Sequence, residues 1–139
     1  MRKERYMQKL NELKDRVEFI ESRMGWKEEF LENRILRKGI YKEFQEAVEI
    51  ASDIAAMLVK DFGFAVEDDY RNFEILGNKL GLEEKIVLAL KKANGLRNVL
   101  VHEYNGIIDE QAYESIIQLL PFLKEFESRV RRWAENFRK

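Results

Sequence analysis

An all-α protein, built as an antiparallel bundle of about five helices, is what this sequence predicts, and three observations carry the prediction. Apolar residues recur at alternating three- and four-residue steps through most of the 139 residues, the period of one face of an α-helix. A single proline and seven glycines leave little to interrupt such helices, and several of the glycines fall where a periodic run stops. No segment alternates apolar and polar residues as a half-buried strand does. At this length the chain reads as one domain over residues 1–139, large enough to bury a core without staples.

The elements follow in order. Tyr6, Leu10, Leu13, Val17, Ile20 and Met24 mark the first helix, with charges between them, and Gly25 ends it. From Trp26 a second pattern runs through Phe30, Ile40, Phe44, Ala47, Ala51, Ile54 and Leu58 to Phe62. It predicts one very long helix, bent at Gly39 and stopped by Gly63. Asp68-Asp69 cap a short third helix carrying Tyr70, Phe73, Leu76 and Leu80, which Gly81 closes. A fourth, central helix starts near Leu82-Glu83-Glu84 and breaks at Asn105-Gly106. The last opens at Asp109 or Glu110 and runs through Ile116, Leu120, Leu123, Phe126, Val130 and Trp133 to Phe137. Pro121 is expected to bend this helix and not to end it, because the pattern continues beyond it.

Composition excludes several kinds of chemistry. Lys plus Arg total 25 against 26 Asp plus Glu, so no global field draws the chain onto nucleic acid, and any RNA contact must be local. Without cysteine there is no disulfide, thiol nucleophile or thiolate metal site. One histidine and scattered carboxylates make no compact ligand set, so neither a metal nor another cofactor is expected. No apolar run reaches the length of a membrane span, and the first residues lead into no signal-like segment. A cytoplasmic protein with no membrane partner is the expectation.

The fourth helix is where polar chemistry collects. Asn94, Arg97, Asn98, His102 and Tyr104 fall within eleven residues, among leucines and valines, and His102 is the only histidine of the chain. At about 100° per residue, Ile86, Ala89, Leu90, Ala93, Leu96, Leu100 and Val101 share one broad inward face. Arg97 falls near the middle of that face and Tyr104 lies along the axis from it. Asn94, Asn98 and His102 form a line at four-residue spacing, interleaved with Val87, Leu88 and Val99, so that side is expected to be covered as well. A helix apolar nearly all round belongs in a large core or a subunit interface, and this chain is too short for the first. Arg97 and His102 are five apart, so their directions differ by about 140° on a straight helix. Two subunits contributing to one site of a symmetric homodimer is the arrangement favoured.

Those residue types restrict the chemistry. An Arg is a fixed cation whose fork matches phosphate oxygens. A His takes a proton from a hydroxyl or gives one to a leaving oxygen near neutral pH. An Asn orients either group without adding charge. Together they suit metal-free cleavage of RNA, with the ribose 2′-hydroxyl as nucleophile. Asp53, between Ile50 and Ile54, is the anion available to offset Arg97, although its polar neighbours Glu49 and Ser52 equally suit a solvent-facing position.

Arg97-Asn98, three residues, then His102-Glu103-Tyr104 resembles the R-x4-H-x-Y motif of the HEPN superfamily, in particular its HepT-like toxins. The resemblance extends to residues 45–55 and 69–76, which look like that family's second and third helices, and it covers most of the chain. It implies an all-α, dimeric, metal-independent ribonuclease with Arg97, Asn98 and His102 as catalytic residues. Asp53 and Asn94 would support them. It also implies a partner, a small nucleotidyltransferase antitoxin that uses ATP to adenylylate the motif tyrosine, here Tyr104. Two other readings stay open at this point. One is a non-catalytic module that binds a nucleotide or docks a nucleotidyltransferase, and the other is a purely structural dimerisation domain. A basic cluster near the end, Arg129, Arg131, Arg132, Arg138 and Lys139 around Trp133 and Phe137, suits either an RNA-tracking face or an ordinary solvated helix face.

Overall fold

The computed structural model describes residues 2–102 and 108–136. Among them run six α-helices and no strand: α1 (Arg2–Arg23), α2 (Lys27–Glu32), α3 (Arg34–Asp61), α4 (Asp69–Lys79), α5 (Glu84–His102) and α6 (Asp109–Glu135). Helix α3 is the hub, touching each of the others. Helix α1 packs between α3 and α6, and α5 packs on α3, α4 and α6. The core formed between them is led by the fully buried rings of Tyr6, Phe30, Phe44, Phe73 and Phe126.

The count of six corrects the expected five. The single long helix predicted from Trp26 to Phe62 is broken at Asn33, and α3 continues through Gly39. Asn33 holds an extended backbone conformation, and its side-chain oxygen accepts the Leu36 amide at 2.9 Å. An asparagine offered a free amide three residues ahead caps a new helix more readily than it continues an old one. Arg37 reinforces the break by donating to the Leu31 carbonyl at 2.7 Å, which closes α2.

The other boundaries follow the local rules. Gly63, at φ +89, ends α3, and Gly81, at φ +66, ends α4, both in the left-handed region that glycine enters without penalty. Asp68 caps α4 by accepting the Arg71 amide at 2.9 Å. Pro121 sits on the exposed side of α6, which continues beyond it to Glu135.

Candidate functional site on helix α5

Helix α5 is fixed from three directions. Ile86, Leu90, Ala93 and Leu100 are buried against α3, α4 and α6. At its start the approach to α4 is so close that a Cβ on Gly77 would stand 2.9 Å from Val87 Cγ2. With the helix held this way, its two polar sets face unlike surroundings.

The inward set is Asn94 and Arg97. Asn94 is buried, and its Oδ1 accepts from Arg97 Nη2 at 2.6 Å. The same Nη2 lies 3.5 Å from Asp69 Oδ2, and Nη1 lies 3.7 Å from Glu49 Oε2. Arg97 Nε is buried with no hydrogen-bond partner. The guanidinium therefore ties α5 to both α3 and α4. It also faces a cleft that Glu49, Asp53, Glu67 and Asp69 line, a negative surrounding. Its two ion pairs are longer than the roughly 2.7–2.9 Å of a strong charge-assisted bond, so neither carboxylate holds it tightly.

Asp53 does not take the role expected of it. Its Oδ2 pairs with Lys9 Nζ at 3.2 Å, and the carboxylates within reach of Arg97 are Glu49 and Asp69. Asp53 sits on the wall of the same cleft, but α1 supplies a closer cation on its other side. The Asp69 contact was not readable from sequence, because it depends on how the first turn of α4 docks against α5. Asn72 fixes the turn that leads into α4: it is buried, its Oδ1 accepts the Glu67 amide at 3.0 Å, and its Nδ2 donates to the Glu67 carbonyl at 3.1 Å.

The outward set is Asn98 and His102, both exposed. They were expected on a covered side. Leu88 is 50% exposed and Val99 38%, so the apolar residues interleaved with them are open as well. Val101 is exposed too, against its expected place on the inward face. Tyr104 and the Asn105-Gly106 break lie outside the described residues, as do Phe137, Arg138 and Lys139.

The basic cluster of α6 turns out to join helices. Arg129 Nη2 donates to the Leu80 carbonyl at 2.6 Å, closing the end of α4. Arg131 pairs with Glu127 at 2.5 Å and donates to Asn11 at 3.0 Å. Trp133 packs edge-on against Tyr6, with ring centroids 5.2 Å apart. Two of its cations and its tryptophan are thus committed to packing.

Chemically, one side of α5 offers a guanidinium already balanced by carboxylates. The other offers an accessible imidazole beside a carboxamide, able to exchange protons with a ligand. Comparison with known proteins adds a family to this geometry. A family model described as Ribonuclease HepT-like matches residues 5–130. A protein of Archaeoglobus fulgidus named "Putative RNase" is 38% identical over 130 residues, 94% of this chain and 93% of its own length. A solved Shewanella oneidensis HEPN toxin, tri-AMPylated and in complex with an MNT antitoxin, has the same fold, with a TM-score of 0.82 at 20% identity. That match spans 91% of this chain and 96% of the toxin. A structure of the toxin–antitoxin pair MntA–HpeT gives a TM-score of 0.80 at 17% identity, over 91% of this chain and 98% of that one.

Proposed function

This chain belongs to the HepT-like ribonuclease family, and from that premise we propose that it is the toxin of a toxin–antitoxin pair. It cuts RNA without a metal, at a seam where two copies of α5 meet. The observation that carries this reading is the outward side of α5, where an accessible His102 and Asn98 stand among exposed apolar residues. A side of that kind on a helix already packed on three neighbours suits a second copy of the chain.

In the reaction, the His102 imidazole takes the proton of a ribose 2′-hydroxyl. The freed oxygen attacks the adjacent phosphorus, the bond to the 5′-oxygen breaks, and that oxygen leaves with a proton from an imidazolium. The products are a 2′,3′-cyclic phosphate and a 5′-hydroxyl. Asn98, one turn before His102, orients the imidazole or the phosphate. Arg97 stabilises the charge gathering on the phosphoryl oxygens by exchanging its long pairs with Asp69 and Glu49 for the phosphate. The separation of about 140° between the directions of Arg97 and His102 on α5 favours a composite site, with the guanidinium of one copy serving the imidazole of the other.

Control comes from a nucleotidyltransferase antitoxin that moves an adenylyl group from ATP to the Tyr104 hydroxyl, releasing pyrophosphate. Tyr104 stands two residues beyond His102 in the sequence, so the modification adds negative charge and bulk to the same short stretch of chain.

The test is cleavage of RNA, in the presence of a chelator, by purified protein freed of adenylyl groups. His102→Ala is expected to lower the rate by about 10²- to 10⁴-fold, the range for loss of a general acid–base. Equal rates for the two proteins would end the nuclease reading.

A second reading of Arg97 has its own observation. The contacts to Asn94, Asp69 and Glu49 are those of a brace between three helices, and a brace needs no phosphate.

A further inference from the structure

The most exposed large apolar side chains among the described residues are Ile35, at 87%, and Trp26, at 76%, and the next stands at 55%. They flank α2, Trp26 at its N-cap position and Ile35 just past the break at Asn33, and both line one open hollow of about 790 Å³. Between them Glu28, Glu29 and Glu32 of α2 are exposed and line the same hollow, and Arg34 is its one cation among the described residues.

This surface is fixed in place. Phe30 is fully buried beneath it, against the rings of Tyr41 and Tyr113, with centroids 5.7 and 5.0 Å away. Lys27 ties the first turn of α2 to α6 through Glu110 at 2.7 Å and Glu114 at 2.8 Å. Two large apolar groups are thus held in water on a rigid face, which marks a contact site for another molecule. Arg34 also lines a second cleft, which Leu100 and Val101 complete at the end of α5.

We propose that the antitoxin docks on this face, with an apolar side chain seated between Trp26 and Ile35 and lysines or arginines against Glu28, Glu29 and Glu32. The inference rests on the toxin–antitoxin reading above and adds where the partner binds and what chemistry it presents. Tryptophan is enriched among the residues that carry most of the energy of a protein interface. Charge then selects the occupant. Three carboxylates to one cation repel an RNA backbone, and a second copy related by a two-fold axis would bring the same acids face to face. A protein segment of opposite charge fits, and an enzyme held there lies next to the end of the helix whose chain leads on to Tyr104.

The experiment titrates purified antitoxin into this chain and reads the dissociation constant. Trp26→Ser with Ile35→Ser is expected to weaken the complex at least about 100-fold, as for the loss of two central anchors. Glu28→Lys with Glu32→Lys is expected to weaken it at least about tenfold, mainly by slower association, and the effect fades at high salt. Phe19→Ser with Phe64→Ser, at exposed apolar positions elsewhere, is expected to leave the affinity in place. RNA cleavage without antitoxin is expected to match wild type in all three proteins. Should the Trp26→Ser protein melt early, Ile35→Ser alone gives the reading, with a loss of about tenfold.

An equal loss in the control protein overturns the assignment. So does a change from dimer to monomer on Trp26→Ser with Ile35→Ser while antitoxin affinity is kept, which makes the face a contact between copies of the chain. If wild type binds the antitoxin and the substitutions on this face change nothing, only the docking site falls. If wild type binds no antitoxin, the toxin–antitoxin reading falls with it.

Discussion

Along α5, an asparagine–arginine pair and an asparagine–histidine pair one turn apart sit in unlike surroundings. Asn94 with Arg97 is turned inward, where the amide is buried and the guanidinium is shared between Asp69 and Glu49. Asn98 with His102 is turned outward, among valine and leucine side chains that one chain leaves uncovered. Burial forces the inward pair to find partners within the fold, since an unpaired guanidinium there is very costly. The outward pair lies at the surface, where a ligand or a second copy of the chain can reach it. Polar residues in an apolar helix therefore need to be sorted by the direction they face before they are assigned to chemistry.

The comparison breaks most sharply at the outward apolar residues. Leu88→Glu with Val99→Glu adds charge at exposed positions, so the melting temperature of the isolated chain should change little. If the seam is real, the protein becomes a monomer by light scattering and RNA cleavage falls by at least about 100-fold, as expected when catalytic groups lose their placement. A variant that stays dimeric and active would show that the outward side is not the seam.

Arg97→Ala sharpens the inward half. Removing a guanidinium hydrogen-bonded to Asn94 leaves Asp69 and Glu49 facing each other across the cleft, and a loss of about 1–3 kcal/mol in a denaturant titration is expected. Arg97→Lys, which keeps the charge and loses the fork, should recover part of the stability but little of the cleavage rate. An unchanged unfolding midpoint for Arg97→Ala would remove the brace.

The smallest effect concerns the contact of α3 with the start of α6. Burial, and then its bond to Asp109, push the Tyr41 pKa above its ordinary 10.0. A raised folded-state pKa means stability is fully present below about pH 10 and is lost as pH rises further, because the unfolded chain ionises first. Wild-type melting temperature should thus fall more steeply than that of Tyr41→Phe from pH 10 upward, with a difference of about 1 kcal/mol at neutral pH. Parallel curves would show that the hydroxyl contributes nothing to holding α6 against α3.

Much of this arrangement was legible before any coordinates. Gly63, Gly81 and Asp68 set helix ends by rules that act within a few residues, and the apolar period placed the core of α1, α3 and α6. The break at Asn33 was readable in principle from its capping position before Leu36. Apolar residues resume at Ile35, Leu36 and Ile40 beyond it, however, and hide the break. The partners of Arg97 were not readable, because Asp69 reaches it only through the angle at which α4 docks. The exposure of Asn98 and Val99 belongs to a single chain, and sequence pattern alone does not separate an interface from a core.

Mixing two inactive variants tests the central claim that Arg97 and His102 meet across copies of the chain. Purified Arg97→Ala and His102→Ala proteins are dissociated, combined and reassembled, and RNA cleavage by the isolated mixed dimer is measured. A composite site predicts recovered cleavage at about half the wild-type rate per dimer, because one of the two seams regains both groups. A mixed dimer as inactive as its parents would contradict it.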